Sequence, residues 1–168
     1  MLLVASTLVW VSGSPVWAWS SDDRAVAIFG LGTSGEGVGK SVVVDSSGNI
    51  YTTGYFKGTS DFDPGSGTAN LTASGSSRDV FVSKLDSSGN YLWARSFGGT
   101  GDGDHDYGSS VAVDSSGNVY TTGTFEGTAD FDPGDGTENL TASGGSDVFV
   151  SKLDSSGNYL WARSFGGT

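Results

Sequence analysis

Short runs of β-branched and aromatic residues recur along this chain, each ended by a polar, glycine-containing stretch. Ser41-Val42-Val43-Val44 is one, and Ile50 to Phe56 the next. Asp79 to Leu85 and Tyr91 to Phe97 follow. Runs of this length and composition predict strands rather than helices. Asp45-Ser46-Ser47-Gly48-Asn49 joins the first pair, and Asp86 to Asn90 repeats it to the letter in the second. Asp opens such a turn by accepting a bond from its own backbone two residues on. Gly supplies the positive φ that a short hairpin loop with a bulge requires. Two hairpins are therefore expected. Along the fourth run, Tyr91, Trp93 and Phe97 alternate with Leu92, Ala94 and Ser96. Both faces carry apolar groups, which predicts a sheet covered on both sides.

The whole pattern then returns. Ser41 to Thr100 aligns with Ser110 to Thr168, with Arg78 as one extra residue in the first copy. The turn recurs at Asp114 to Asn118 and Asp154 to Asn158. The differences are mostly small or polar exchanges, such as Lys57 to Glu126 and Ser66 to Asp135. A four-stranded, two-sided antiparallel sheet repeated in tandem predicts an all-β chain of β-propeller-type blades. A sandwich would not need the same four strands twice. A closed propeller takes about 4 to 8 blades, so two repeats predict a fragment of a larger propeller. Between the hairpins runs a long link, Lys57 to Arg78, which calls for local order of its own. Pro64-Gly65 suits the centre of a type II turn, and Phe62 and Leu71 can face each other across a small extra hairpin.

The N-terminal part differs. Leu2 to Val11 is apolar and is followed by Ser12-Gly13-Ser14-Pro15 and Val16-Trp17-Ala18. This has the form of a signal peptide over residues 1–18, cut after Ala18, although no Lys or Arg follows Met1; a buried first strand is the alternative. The organisation expected is thus a signal peptide at 1–18, an N-terminal segment with one strand at 19–40, a first blade with an acidic linker at 41–109, and a second blade at 110–168. Within 19–40, Ala27-Ile28-Phe29-Gly30 matches the end of a fourth strand, Arg95-Ser96-Phe97-Gly98.

Charge narrows the partners. The net charge is −11, from 19 acidic against 8 basic residues. That excludes a nucleic-acid binder, which needs a basic face, and docking on anionic lipid. No membrane insertion is expected once the signal is removed. Cysteine is absent, so neither disulfides nor thiolate chemistry enter.

The acidic loops are the candidate sites. Asp61-Phe62-Asp63 and Asp130-Phe131-Asp132 place carboxylates two residues apart, and Asp135 adds charge in the second copy. Ca²⁺ takes about 6 to 8 oxygen ligands, and alternating carboxylates in a glycine-containing turn can converge on one ion. A turn in which these carboxylates accept backbone N–H bonds is the alternative. Asp102, Asp104 and Asp106 share the two-residue spacing on the link between blades. The bidentate Glu of an EF-type loop is missing there, with Val113 in its place, and a solvated connector is the alternative. Ca²⁺ is the one cofactor this pattern suggests. His105, the single histidine, has no nucleophile and orienting group around it in sequence and reads as a surface residue. Trp93 and Arg95, with Trp161 and Arg163, lie on one face of their strands. They read as packing between blades, or as a stacked pair for a sugar or protein partner.

Ser110 to Tyr120, the Asp130-Phe131-Asp132-Pro133-Gly134 loop and Asp147 to Asp154 together resemble the bacterial β-propeller repeat family called SBBP. The resemblance covers residues 41–168. It implies a propeller fold in secreted or cell-surface bacterial proteins and implies no particular activity. The expected function is a non-catalytic, extracellular or cell-surface module for binding or display, with a protein or carbohydrate ligand, and with open blade faces that invite self-association. The alternatives are a propeller part of a secreted carbohydrate-active enzyme whose catalytic residues lie in other blades, and a structural spacer.

Overall fold

The computed structural model of the protein describes residues 9–11, 14–16, 36–101 and 103–167. Within the expected signal segment, β1 (Val9–Val11) and β2 (Ser14–Val16) pair antiparallel. The remainder of that segment, the cut after Ala18 and the Ala25 to Phe29 strand lie outside the described residues.

Blade 1 is built from β3 (Glu36–Val44), β4 (Ile50–Lys57), β7 (Asp79–Leu85) and β8 (Tyr91–Gly99), with a small hairpin of β5 (Thr59–Asp61) and β6 (Asn70–Thr72) between β4 and β7. Blade 2 is built from β9 (Tyr107–Val113), β10 (Val119–Asp130), β11 (Asn139–Leu153) and β12 (Tyr159–Phe165). All pairings within the blades are antiparallel and follow chain order. The expected four strands per repeat are all present. The first is longer than its apolar run, because Glu36 to Gly39 continues the ladder past an irregularity between Gly39 and Ser41.

The turns form as their residues dictate. Asp45 Oδ1 accepts the N–H groups of Ser47 (2.8 Å) and Asn49 (2.9 Å), and Asn49 Nδ2 donates to Oδ2 (2.8 Å). The same three bonds recur at Asp86, Asp114 and Asp154. The four turn glycines stand at φ between 79° and 84°, where a Cβ is disfavoured. These bonds hold all four carboxyls below the usual carboxylate range. The Asn side chain is the largest cause at Asp45, Asp86 and Asp114, and the Asn158 backbone N–H at Asp154.

In the extra hairpin Leu71 stands opposite Ser60, not Phe62. Phe62 lies just past β5 and turns inward onto Phe56 (5.3 Å between ring centroids) and Phe81 (5.0 Å). In blade 2 the same protrusion is continuous with β10 and β11, across a shift between Glu126 and Thr128. Neither Gly65 nor Gly134 has positive φ, so the Pro-Gly pair is not the centre of a type II turn. The tip is an Asx turn instead, in which Asp63 Oδ1 accepts the Gly65 N–H at 2.7 Å and Asp132 that of Gly134 at 2.8 Å.

The main core lies between the blades. Val80, Val82, Trp93 and Phe97 of blade 1 are buried with Val119, Phe125, Phe131 and Phe149 of blade 2. Phe97 sits 5.3 Å from Phe131 and 5.7 Å from Phe149. A second cluster of Phe56, Phe62, Ala73, Phe81 and Ala94 belongs to blade 1 alone. The sheets also touch at one edge, where Gly99 and Gly98 of β8 pair with Ala129 and Asp130 of β10. Both faces of blade 1 are thus packed, as its alternating apolar pattern predicts.

Candidate functional site

The protrusion tips hold the first group of candidate carboxylates. Asp61 Oδ1 accepts the N–H groups of Asp63 (3.0 Å) and Ala69 (2.8 Å), closing the loop on itself. Asp130 does the same for Asp132 and Glu138. Asp63 and Asp132 are committed to the Asx turn, while Asp135 is exposed at the tip. One oxygen of each paired Asp is therefore engaged with backbone. Among the described residues no three His, Cys, Asp or Glu side chains are grouped so as to hold a metal ion.

Each tip stands beside the turn of its blade's second hairpin, and an open recess lies between. In blade 1 it is lined by Asp63 to Gly67 and Gly89 to Tyr91, with a volume of about 490 Å³. In blade 2 the corresponding recess, about 370 Å³, is lined by Asp132 to Asp135 and Gly157 to Tyr159, and Arg95 of blade 1 completes it. The second recess is thus made of two repeats, with its cationic wall coming from the preceding blade.

The acidic link behaves differently from a solvated connector. Asp102 lies outside the described residues. Asp104 is half-buried against Gly101 and Gly127. Asp106 is 1% exposed, and its two oxygens accept the N–H groups of Gly99 (2.8 Å) and Glu126 (3.2 Å). It therefore clamps the end of β8 to β10. Its neighbour across the seam is Asp79, which the sequence pattern did not single out. Asp79 is 3% exposed, its Oδ2 accepts the Ser74 N–H at 3.0 Å, and its Oδ1 has no hydrogen-bond partner. Both carboxyls point at Gly98: a Cβ there would lie 2.6 Å from Asp79 and 2.8 Å from Asp106. Burial pushes Asp106 up to about 7, with the charges of Asp79 and Asp104 adding to it, and pushes Asp79 up to about 6. The N–H bonds oppose this and do not overcome it. The arrangement can hold a proton at neutral pH, as desolvated, like-charged neighbours do.

His105 is half-buried rather than on the open surface. Its ring stacks edge-on against Tyr107 at 6.1 Å, and its backbone N–H donates to Glu126 at 3.2 Å. The extra residue Arg78 lies on the same seam. It pairs with Glu36 at 2.9 Å, donates to Tyr107 at 3.3 Å and sits 5.6 Å over the Tyr55 ring.

Trp93 and Arg95 pack between blades. Arg95 lies 5.8 Å over the Trp93 ring. Trp93 Nε1 donates to the Ser155 carbonyl at 3.2 Å, and Arg95 Nε to that of Gly157 at 3.1 Å. The second copy, Trp161 and Arg163, has no following blade against it among the described residues.

Consecutive four-stranded antiparallel blades, packed face to face through a shared aromatic layer, define a partial β-propeller. Residues 29–62 and 92–124 match the SBBP beta-propeller repeat, and the chain carries this repeat twice. The second match begins in β8 of one blade and ends in β10 of the next, so the repeat straddles the seam instead of coinciding with a blade. No curated protein matches the chain.

Proposed function

We propose that the chain is a non-catalytic propeller module that works outside the cell or at its surface, binding or displaying a polar ligand. The observation that carries this reading is the recess repeated on both blades, with an Asx-turn tip on one wall and a hairpin turn on the other. Two copies of one recess in a rigid frame suit multivalent contact, in which weak sites gain by being linked. In the second recess Asp132, Asp135 and Tyr159, with the cationic Arg95 beside them, offer acceptors, an apolar ring and a positive charge, a set that fits hydroxyl-rich carbohydrate. The acidic, cysteine-free composition is compatible with that location.

Affinity electrophoresis in gels cast with cell-wall polysaccharide, together with protease treatment of intact cells, tests the reading. Retarded migration, lost when Ser66→Trp and Asp135→Trp fill both recesses, is expected, as is cleavage of the chain on intact cells. Migration unaffected by polysaccharide, breakdown of the polysaccharide, or protection of the chain until the cells are lysed would each overturn it.

A further inference from the structure

The link from blade 1 into blade 2 is fastened at the seam by one residue. Asp106 Oδ2 accepts the Gly99 N–H at 2.8 Å and its Oδ1 accepts the Glu126 N–H at 3.2 Å, while its own N–H donates to the Arg78 carbonyl at 2.8 Å. The end of β8, the residue before β7 and β10 are thus tied to one point. The first repeat has Gly37 at the corresponding place. The tie therefore belongs to this joint and is not a feature that both repeats share.

Asp79 faces it with an unfilled position. Its Oδ2 accepts the Ser74 N–H, and its buried Oδ1 has no partner. Asp79 Oδ1 and Asp106 Oδ2 both lie over Gly98, within 2.6 and 2.8 Å of where a Cβ would stand. The elements around them bring no counter-charge. β8 gives Gly98 and the Gly99 N–H, and β4 gives Phe56, opposite Asp79. β10 gives Glu126, whose carboxylate accepts the His105 N–H. The link gives Asp104, whose charge acts on Asp106 together with that of Asp79. His105 packs on the Tyr107 ring, and the Arg78 guanidinium turns away to Glu36 and Tyr107. Neither ion pair among the described residues includes Asp79 or Asp106. Two ionised carboxylates in this place lose their water and repel each other. A single proton relieves both effects, because a carboxylic acid donates to the carboxylate that faces it and so fills the empty position at Asp79.

We propose that this joint is a proton-operated latch: a proton shared between Asp79 and Asp106 clamps the link to both blades, and its loss frees the Gly99 and Glu126 N–H groups while the two sheets stay folded. Asp79 is fixed at the start of a paired strand. Asp106 stands on the link, so it is the carboxylate that swings out to water when both are charged. Burial raises the proton affinity of both groups in the folded chain. The latch is therefore closed at acid pH and opens as pH rises through the neutral range. The inference rests on the seam alone and stands apart from the display reading.

Amide hydrogen exchange of the full chain between pH 5 and pH 8, corrected for the intrinsic rate, tests it, because local opening is read amide by amide. Protection at Gly99 and Glu126 is expected to fall by about tenfold or more over that range, the equivalent of about one unit of proton affinity. The ladder amides between β4 and β7 are expected to keep theirs. Asp79→Asn holds the latch shut, since its amide oxygen accepts from Ser74 and its NH2 donates to Asp106 as the proton did. In that variant the protection at the two amides is expected to change by less than about twofold. Asp106→Gly, which copies the residue of the first repeat, is expected to leave both amides open at either pH. Wild-type protection that is flat with pH overturns the proposal, and so does a fall that Asp79→Asn leaves unchanged. Protection that millimolar Ca²⁺ restores at pH 8 also overturns it, since the pair would then hold a cation in place of a proton.

Discussion

Phe97 and Phe165 occupy the same position in two copies of one sequence, yet one is core and the other is surface. Their strands are identical from Tyr91 to Thr100 and from Tyr159 to Thr168, so nothing local separates them. The difference is the neighbour. Blade 2 covers Phe97 with Phe131 and Phe149, and no described residue does the same for Phe165. Burial in a repeat protein is thus a property of position in the stack, and stability follows nearest-neighbour packing.

This comparison can be broken most directly by truncation. Phe97→Ala is expected to cost about 3–5 kcal/mol, as removal of a buried aromatic does. Phe165→Ala at low protein concentration is expected to stay within about 0.5 kcal/mol, as surface changes do. Urea denaturation of both variants measures it, and equal losses would mean that something covers Phe165.

Next in size is the pH dependence of the seam. Asp79 and Asp106 have folded-state pKa values raised to about 6 and about 7. Their contribution is therefore full below the ordinary carboxylate range and is lost as pH rises through 6 and then 7. A tenfold change in proton affinity between the folded and unfolded chain is worth about 1.4 kcal/mol. The turn aspartates, whose carboxyls are lowered, act in the opposite direction: their contribution is full above the usual carboxylate range and is lost as pH falls below it. The two trends separate in the difference between wild type and Asp106→Asn. Stability of the wild type relative to this variant is expected to fall by a few kcal/mol between pH 4 and pH 8. A difference that is flat with pH would remove the buried proton from the seam.

The turns give a finer contrast. Gly89→Ala and Gly157→Ala both force a Cβ into the left-handed region, at about 1–2 kcal/mol. Gly157 also lies against Trp93 and Arg95 at 3.2 Å, so its variant is expected to be the less stable of the two by thermal melting. Matching losses would argue against the grip of blade 1 on that turn. The smallest effect expected is that of Ca²⁺. One oxygen each of Asp61, Asp63, Asp130 and Asp132 already bonds to backbone N–H groups. Melts in EDTA and in millimolar Ca²⁺ are therefore expected to coincide. An upward shift of several degrees would place an ion on the folded loops, and Asp130→Asn with Asp132→Asn would then abolish it.

Much of the fold was legible because each of its parts is local. The Asp-Ser-Ser-Gly-Asn turns, the strands between them and the ordered protrusion all follow from residues within a few positions of one another. The seam was less legible. Asp79 opens a strand, and nothing in its neighbours in sequence marks it as buried. Its burial depends on Gly98, which leaves the space, and on Asp106, which arrives from the link to the next blade. Asp106 itself carries a spacing that suggests a metal loop or solvent, and only the pairing of β8 with β10 reveals it as a clamp. Arg78, one unmatched residue in the alignment, gave no hint of its ion pair with Glu36, more than forty positions away.

Because both halves of the seam recur in each repeat, copying a repeat copies the residues that grip together with the turn that is gripped. Lys84, Trp93, Arg95 and the turn they hold are identical in both repeats. A gene that duplicates this unit adds a blade already fitted to its predecessor, and no second mutation has to arise for the addition to pack. Such a lineage can lengthen or shorten by whole repeats, each new blade meeting its predecessor through a seam already spelled in the sequence.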